Sequence, residues 1–201
     1  SRSGQLTRVD LHTLERSGDV QTSKNSIDIA VSQDGRFVAT AEYVPGGVTI
    51  LDARTLEVVT RIPAVIEKGG RSLTSRVTGI VDAPGPRFVC VLMEAAEIWV
   101  IDASRPEFPI EHRIGLPRAA PYDAMITPDG RHYLVGHLDS DEVSVLDLTQ
   151  PERGVRAISL RDPHDEFART APVKLPHLAS WAVAGGRVFV PLVGEKRLAI
   201  L

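Results

Sequence analysis

Ser32-Gln33-Asp34-Gly35-Arg36-Phe37 leads into the apolar run Val38-Ala39-Thr40-Ala41. Asp-Gly is a turn dipeptide, because glycine accepts a positive φ and aspartate bonds its own backbone. The unit returns as Ala83-Pro84-Gly85-Pro86-Arg87-Phe88, Thr127-Pro128-Asp129-Gly130-Arg131-His132 and Ala184-Gly185-Gly186-Arg187-Val188. The turn arginines are 51, 44 and 56 residues apart. A second unit, an alternating strand closing on aspartate, keeps step with the first. It reads Leu6-Thr7-Arg8-Val9-Asp10, Val48-Thr49-Ile50-Leu51-Asp52, Ile98-Trp99-Val100-Ile101-Asp102 and Val143-Ser144-Val145-Leu146-Asp147. A fifth copy begins at Leu198.

Apolar or alternating runs of four to seven residues between turns are strands. A period near 45 holds four of them with their turns, which is one blade of a β-propeller. The sequence therefore predicts an all-β fold over residues 1–201, a partial β-propeller of four-stranded blades. Blade ends are expected near Asp10, Asp52, Asp102, Asp147 and just past Leu201. About four blades are expected, cut at both ends, out of a larger ring. The recurring turn arginines and closing aspartates are expected to be structural, since they repeat in every blade.

Composition narrows the function. The 201 residues are 43% hydrophobic and carry a net charge of −3, so no global basic field draws nucleic acid. No run of 18 apolar residues appears, so no transmembrane segment is expected. The single cysteine, Cys90 between Val89 and Val91, reads as a buried strand residue and leaves the redox compartment open. No signal peptide is visible, which weighs little in a chain that is expected to start mid-domain.

A propeller binds ligands where the first strand of each blade begins, around the central channel. Counting back ten or eleven residues from the turn arginines gives Asn25, Arg76, the segment from Ala120 to Tyr122, and His177. The expected mouth residues are Asn25, Ser26, Arg76, Tyr122, Asp123 and His177, with Arg71, Arg118 and Lys174 in the preceding loops. Cations with one tyrosine and one histidine suit a planar, carboxylate-bearing ligand. His177, Tyr122 and Asp123 are the candidates for proton transfer. Asn25, Ser26, Arg71, Arg76, Arg118 and Lys174 are the candidates for binding.

Other chemistry finds no footing. There is no G-x-S-x-G elbow, phosphate loop or dinucleotide fingerprint. His132 and His137 lie five apart on one strand and face opposite sides, so they cannot share a metal. Asp139, Asp141 and Glu142 read as a solvated hairpin turn, and no metal site is expected. A metal-dependent propeller hydrolase needs carboxylates converging on the channel, and only Asp123 is placed for that. The segment from Arg161 to Leu175 reads as a long irregular loop, a lid over the mouth or a surface segment.

Longer stretches carry a family resemblance: Tyr43-Val44-Pro45-Gly46-Gly47-Val48, Ser75-Arg76-Val77-Thr78-Gly79-Ile80-Val81-Asp82-Ala83-Pro84-Gly85, Glu97-Ile98-Trp99-Val100, Pro121-Tyr122-Asp123-Ala124, Pro151-Glu152-Arg153-Gly154-Val155 and Leu175-Pro176-His177-Leu178. Together they resemble the YVTN-class propellers of the d1 type, to which the d1 domain of cytochrome cd1 nitrite reductase belongs. Within that family they are similar to the propellers that make haem d1 for denitrification. The resemblance implies an eight-bladed ring in the bacterial periplasm that binds haem d1, or a late dihydro-haem d1 precursor, over the channel mouth. It also implies oxidation of the precursor's side chains. Nitrite reductase and other haem d1 maturation proteins are the implied partners, and the axial iron ligand is implied to lie outside this chain. The alternatives are a non-catalytic propeller that carries the tetrapyrrole the resemblance implies, and a protein-interaction scaffold.

Overall fold

The computed structural model describes residues 4–138, 140–160, 177–178, 180–193 and 197–201, with the backbone alone for Lys68 and His177. Three complete four-stranded antiparallel sheets follow one another along the chain. The first is β3 (Asn25–Val31), β4 (Phe37–Val44), β5 (Gly47–Asp52) and β6 (Val58–Pro63); it is preceded by a hairpin of β1 (Gln5–Val9) and β2 (Arg16–Gln21). A second hairpin, β7 (Val65–Lys68) and β8 (Arg71–Thr74), separates it from the next blade, β9 (Val77–Ala83), β10 (Arg87–Leu92), β11 (Glu97–Asp102) and β12 (Ile110–Gly115). The third blade is β13 (Pro121–Ile126), β14 (His132–His137), β15 (Glu142–Asp147) and β16 (Val155–Ser159). In the last sheet β17 (His177–Leu178) and β18 (Ala182–Ala184) share one edge of β19 (Arg187–Val193), and β20 (Arg197–Ile200) takes the other. The architecture is an all-β propeller, as the repeat predicts: the described residues form three whole blades and parts of two more.

Two details differ from the sequence reading. The aspartates Asp10, Asp52, Asp102 and Asp147 sit at or just after the end of the third strand, not the end of the blade. A fourth strand, β2, β6, β12 or β16, follows each of them. These edge strands mix half-buried and exposed positions over only five or six residues, so they blend into polar surroundings. The segment around Arg71 is not a loop but the β7–β8 hairpin, turned by Gly69 and Gly70 at φ of 60° and 73°. A two-residue turn with both φ positive matches the twist of a hairpin.

The middle strands bury nearly every side chain, because each blade stacks face to face with its neighbours. Val48, Ile50, Phe88, Cys90 and Trp99 form one layer between the first two complete blades, and Val89, Val91, Ile98, Tyr133 and Leu146 form the next. Burying such a side chain contributes about 1.5–3 kcal/mol. Cys90 belongs to this packing, and burial pushes its thiol well above the usual range. At the turn end each aspartate caps its own turn. Asp52 Oδ1 accepts from the amides of Arg54 (2.9 Å) and Thr55 (2.7 Å), and Asp147 Oδ1 from Thr149 N (2.9 Å). Arg131 donates to Asp147 Oδ2 at 2.8 Å.

Candidate functional site

The inner strands β3, β9, β13 and β17 begin at Asn25, Val77, Pro121 and His177, close to the positions counted back from the turn arginines. Between the first three of them lies an open cavity of about 500 Å³, lined by Asn25, Ile27, Asp28, Tyr43, Thr78, Gly79, Tyr122 and Asp123. Of the residues expected at the mouth, Asn25, Tyr122 and Asp123 line it. Ser26 lies just beside it, in a smaller cavity of about 170 Å³ against β1. Its hydroxyl donates to Glu42 Oε2 at 2.7 Å.

The cations behave differently from the sequence reading. Arg76 Nε donates to Glu94 Oε1 at 2.6 Å, and its Nη1 to the Tyr43 hydroxyl at 3.0 Å. Its guanidinium lies over the Tyr43 ring, 4.9 Å from the centroid. Arg118 makes two parallel bonds to Glu142, at 2.6 and 2.9 Å. Arg71 stands on the exposed β7–β8 hairpin. None of the three lines the cavity. Lys174 and the segment from Arg161 to Leu175 lie outside the described residues, and of His177 only the backbone is described, paired with Val193.

The cavity instead faces two carboxylates, of which Asp28 was not picked out from the sequence. Asp28 and Asp123 each stand eight residues before a turn arginine, and Gly79 occupies the same position in the blade between them. The offset recurs in the repeat and is the signal that could have found Asp28. At all three places the ladder slips: between Ser26 and Asp28, opposite the Val89–Val91 stretch, and between Pro121 and Asp123. Such a bulge re-aims side chains. Asp123 Oδ1 accepts from the amide of Ala124 and Oδ2 from that of Ser180, each at 3.0 Å, tying one inner strand to the next blade. Burial raises the Asp28 carboxyl; the Ile29 amide opposes this, the Asp123 charge adds to it, and the Ile80 amide opposes it again.

Gly79 has φ of 57°, and a Cβ there would stand 2.7 Å from Ala124 Cβ. Its carbonyl accepts the buried Tyr133 hydroxyl. Without a side chain at this point, β9 and β13 can approach closely. Among the described residues no three His, Cys, Asp or Glu side chains group as a metal site. His137 is buried, with Nε2 2.9 Å from Ser144 Oγ and Nδ1 3.2 Å from the Ala119 carbonyl oxygen, and burial lowers its pKa.

Comparison with known proteins places this geometry. The chain is 45% identical over 201 residues to Protein NirF of Pseudomonas aeruginosa, covering 100% of this chain and 50% of that protein. It is 42% identical over 203 residues to Protein NirF of Stutzerimonas stutzeri, covering 100% of this chain and 51% of that one. The chain thus spans about half the length of these curated relatives. The solved structure of dihydro-heme d1 dehydrogenase NirN in complex with DHE matches with a TM-score of 0.69 at 28% identity, over 94% of this chain and 38% of that one. The Cytochrome D1 heme domain model matches residues 1–201. On this evidence the chain belongs to the cytochrome D1 heme domain family.

Proposed function

We propose that this chain forms part of a haem d1 biosynthesis protein that binds haem d1, or a dihydro-haem d1 precursor, over the channel mouth. The observation that carries this reading is the coincidence of the cavity with the starts of the inner strands, in a chain whose relatives include Protein NirF and dihydro-heme d1 dehydrogenase. The lining residues suit a planar ring. Tyr43, Tyr122 and Ile27 offer aromatic and apolar surface, and Asn25 a hydrogen-bonding edge. A ring carboxylate reaches Arg76 only by competing with Glu94, so Arg76 is held ready by an ion pair rather than left free. When bound, the tetrapyrrole supplies the redox chemistry; the chain's own residues seat it and exclude water from one of its faces.

Periplasmic location, service to nitrite reductase in denitrification and exchange with other maturation proteins belong to the same proposal. Oxidation of the precursor is its finer form, with Tyr122 and His177 as the proton-transfer candidates. One observation favours the non-catalytic alternative, a tetrapyrrole carrier. Both oxygens of Asp123 are engaged by backbone amides, an arrangement that holds a site in shape. Titrating haem d1 into the parent and into Arg76→Ala tests the reading in the visible spectrum. A saturable band shift that weakens in the variant supports it. No shift with the parent refutes tetrapyrrole binding, and equal affinity in Arg76→Ala refutes the carboxylate role.

A further inference from the structure

The geometry points to Tyr43 as a hydrogen-bond donor to an oxygen on the rim of the bound ring, a carbonyl or a carboxylate, with Arg76 as the residue that positions it. The inference rests on tetrapyrrole binding at the mouth and adds the contact that selects an oxygenated edge of the ligand. Tyr43 is the next-to-last residue of β4 in one blade, and Arg76 directly precedes β9 of the next. The sequence reading aimed the Arg76 charge at the ligand; the structure pairs that charge with Glu94.

Glu94 anchors this stretch of chain. Arg76 Nε donates to its Oε1 at 2.6 Å, the Arg76 amide to its Oε2 at 2.7 Å, and the Ser75 hydroxyl to the same Oε2 at 3.1 Å. Held in this way, Arg76 Nη1 donates to the Tyr43 hydroxyl oxygen at 3.0 Å, and the guanidinium lies over the ring. The direction of that bond decides the chemistry. A guanidinium offers no acceptor, so the phenol oxygen accepts and its own O–H must point elsewhere. Among the described residues that O–H donates to none. Tyr43 is half-buried and lines the cavity of about 500 Å³, so the donor is available where a ligand sits. The buried Tyr133 hydroxyl, by contrast, is spent on the Gly79 carbonyl. A bond accepted from a cation polarises the Tyr43 hydroxyl and strengthens it as a donor. An alkyl edge of a ring gives such a donor nothing to bond, whereas a carbonyl or carboxylate oxygen does.

Haem d1 titrations of the parent, Tyr43→Phe, Arg76→Ala and the double variant, followed in the visible spectrum, test this. Tyr43→Phe keeps the aromatic ring and removes only the donor, and it should bind about tenfold more weakly than the parent. Arg76→Ala should weaken binding on its own and add little once Tyr43 is replaced, because Arg76 acts through the hydroxyl; two residues that touch the ligand independently would instead give additive losses. Tyr43→Phe binding like a parent that does bind overturns this inference alone. Additive losses in the double variant overturn the positioning role and leave Arg76 on the ligand itself. A parent without a band shift overturns the tetrapyrrole reading, and this inference with it.

Discussion

The two ends of the blades obey different rules. At the turn end Asp52, Asp102 and Asp147 recur and are consumed locally, each capping the turn that follows it. At the mouth end the same repeat position holds Asp28, then Gly79, then Asp123, and the arginine–glutamate pairs differ from blade to blade. Regularity marks what every blade needs in order to fold. Departure from it marks where a cavity opens. The largest departure is Gly79, with its left-handed φ and its close approach to Ala124.

The comparison is broken most directly at that glycine. Gly79→Ala combines a strained φ with overpacking and should cost about 3 kcal/mol, read as a lower urea midpoint with little change in slope. A variant of parental stability would mean that β9 and β13 can separate to admit the side chain. Next comes Glu94→Ala, which removes the acceptor for the Arg76 side chain, the Arg76 amide and the Ser75 hydroxyl. Part of the pair is solvent-screened, so the expected loss is about 1–2 kcal/mol by denaturant titration.

Acid titration sharpens the contrast, because the two ends have opposite signs. The Arg131 guanidinium and the Thr149 hydroxyl and amide hold the Asp147 carboxyl well below its ordinary value. A depressed carboxylate stabilises the fold above its unfolded pKa, about 3.9, and that contribution is lost as pH falls below it. Asp28 is raised by burial, so its folded form holds the proton more tightly, and its ionisation removes stability as pH climbs above the unfolded value. Asp147→Asn should therefore flatten the acid limb of the stability curve. Asp28→Asn should flatten the opposite slope, above the unfolded pKa. The smallest expected effect is at Arg118. Its pair with Glu142 is exposed, so Arg118→Ala should leave the thermal midpoint unchanged at physiological salt.

Much of this was legible in the sequence, for physical reasons that differ between residues. Asp-Gly turns and apolar middle strands carry local signals, so the blades and the starts of the inner strands could be located from residue offsets. Four strands per blade were expected, but the fourth could not be located, because β6, β12 and β16 are short, largely exposed and carry no closing motif. Arg76 and Arg118 read as free cations because their partners lie 18 and 24 residues away, on the adjoining strand or loop of the same blade. Asp28 was passed over because its neighbours Ile27 and Ile29 look like core. Only the bulge beside it turns the carboxylate toward the channel. Tyr43 appeared only within a longer matching stretch, and nothing local marks it as a cavity wall.

The central claim is that ligand binding resides where the repeat breaks, not where it holds. Haem d1 titrations of Tyr122→Ala at the mouth and Asp52→Asn at the turn end, followed in the visible spectrum beside the parent, test it most directly. The account predicts that Asp52→Asn binds like the parent, while Tyr122→Ala binds about tenfold more weakly for want of an aromatic contact. Equal affinity in all three proteins, or loss of binding in Asp52→Asn alone with its fold intact, would contradict it.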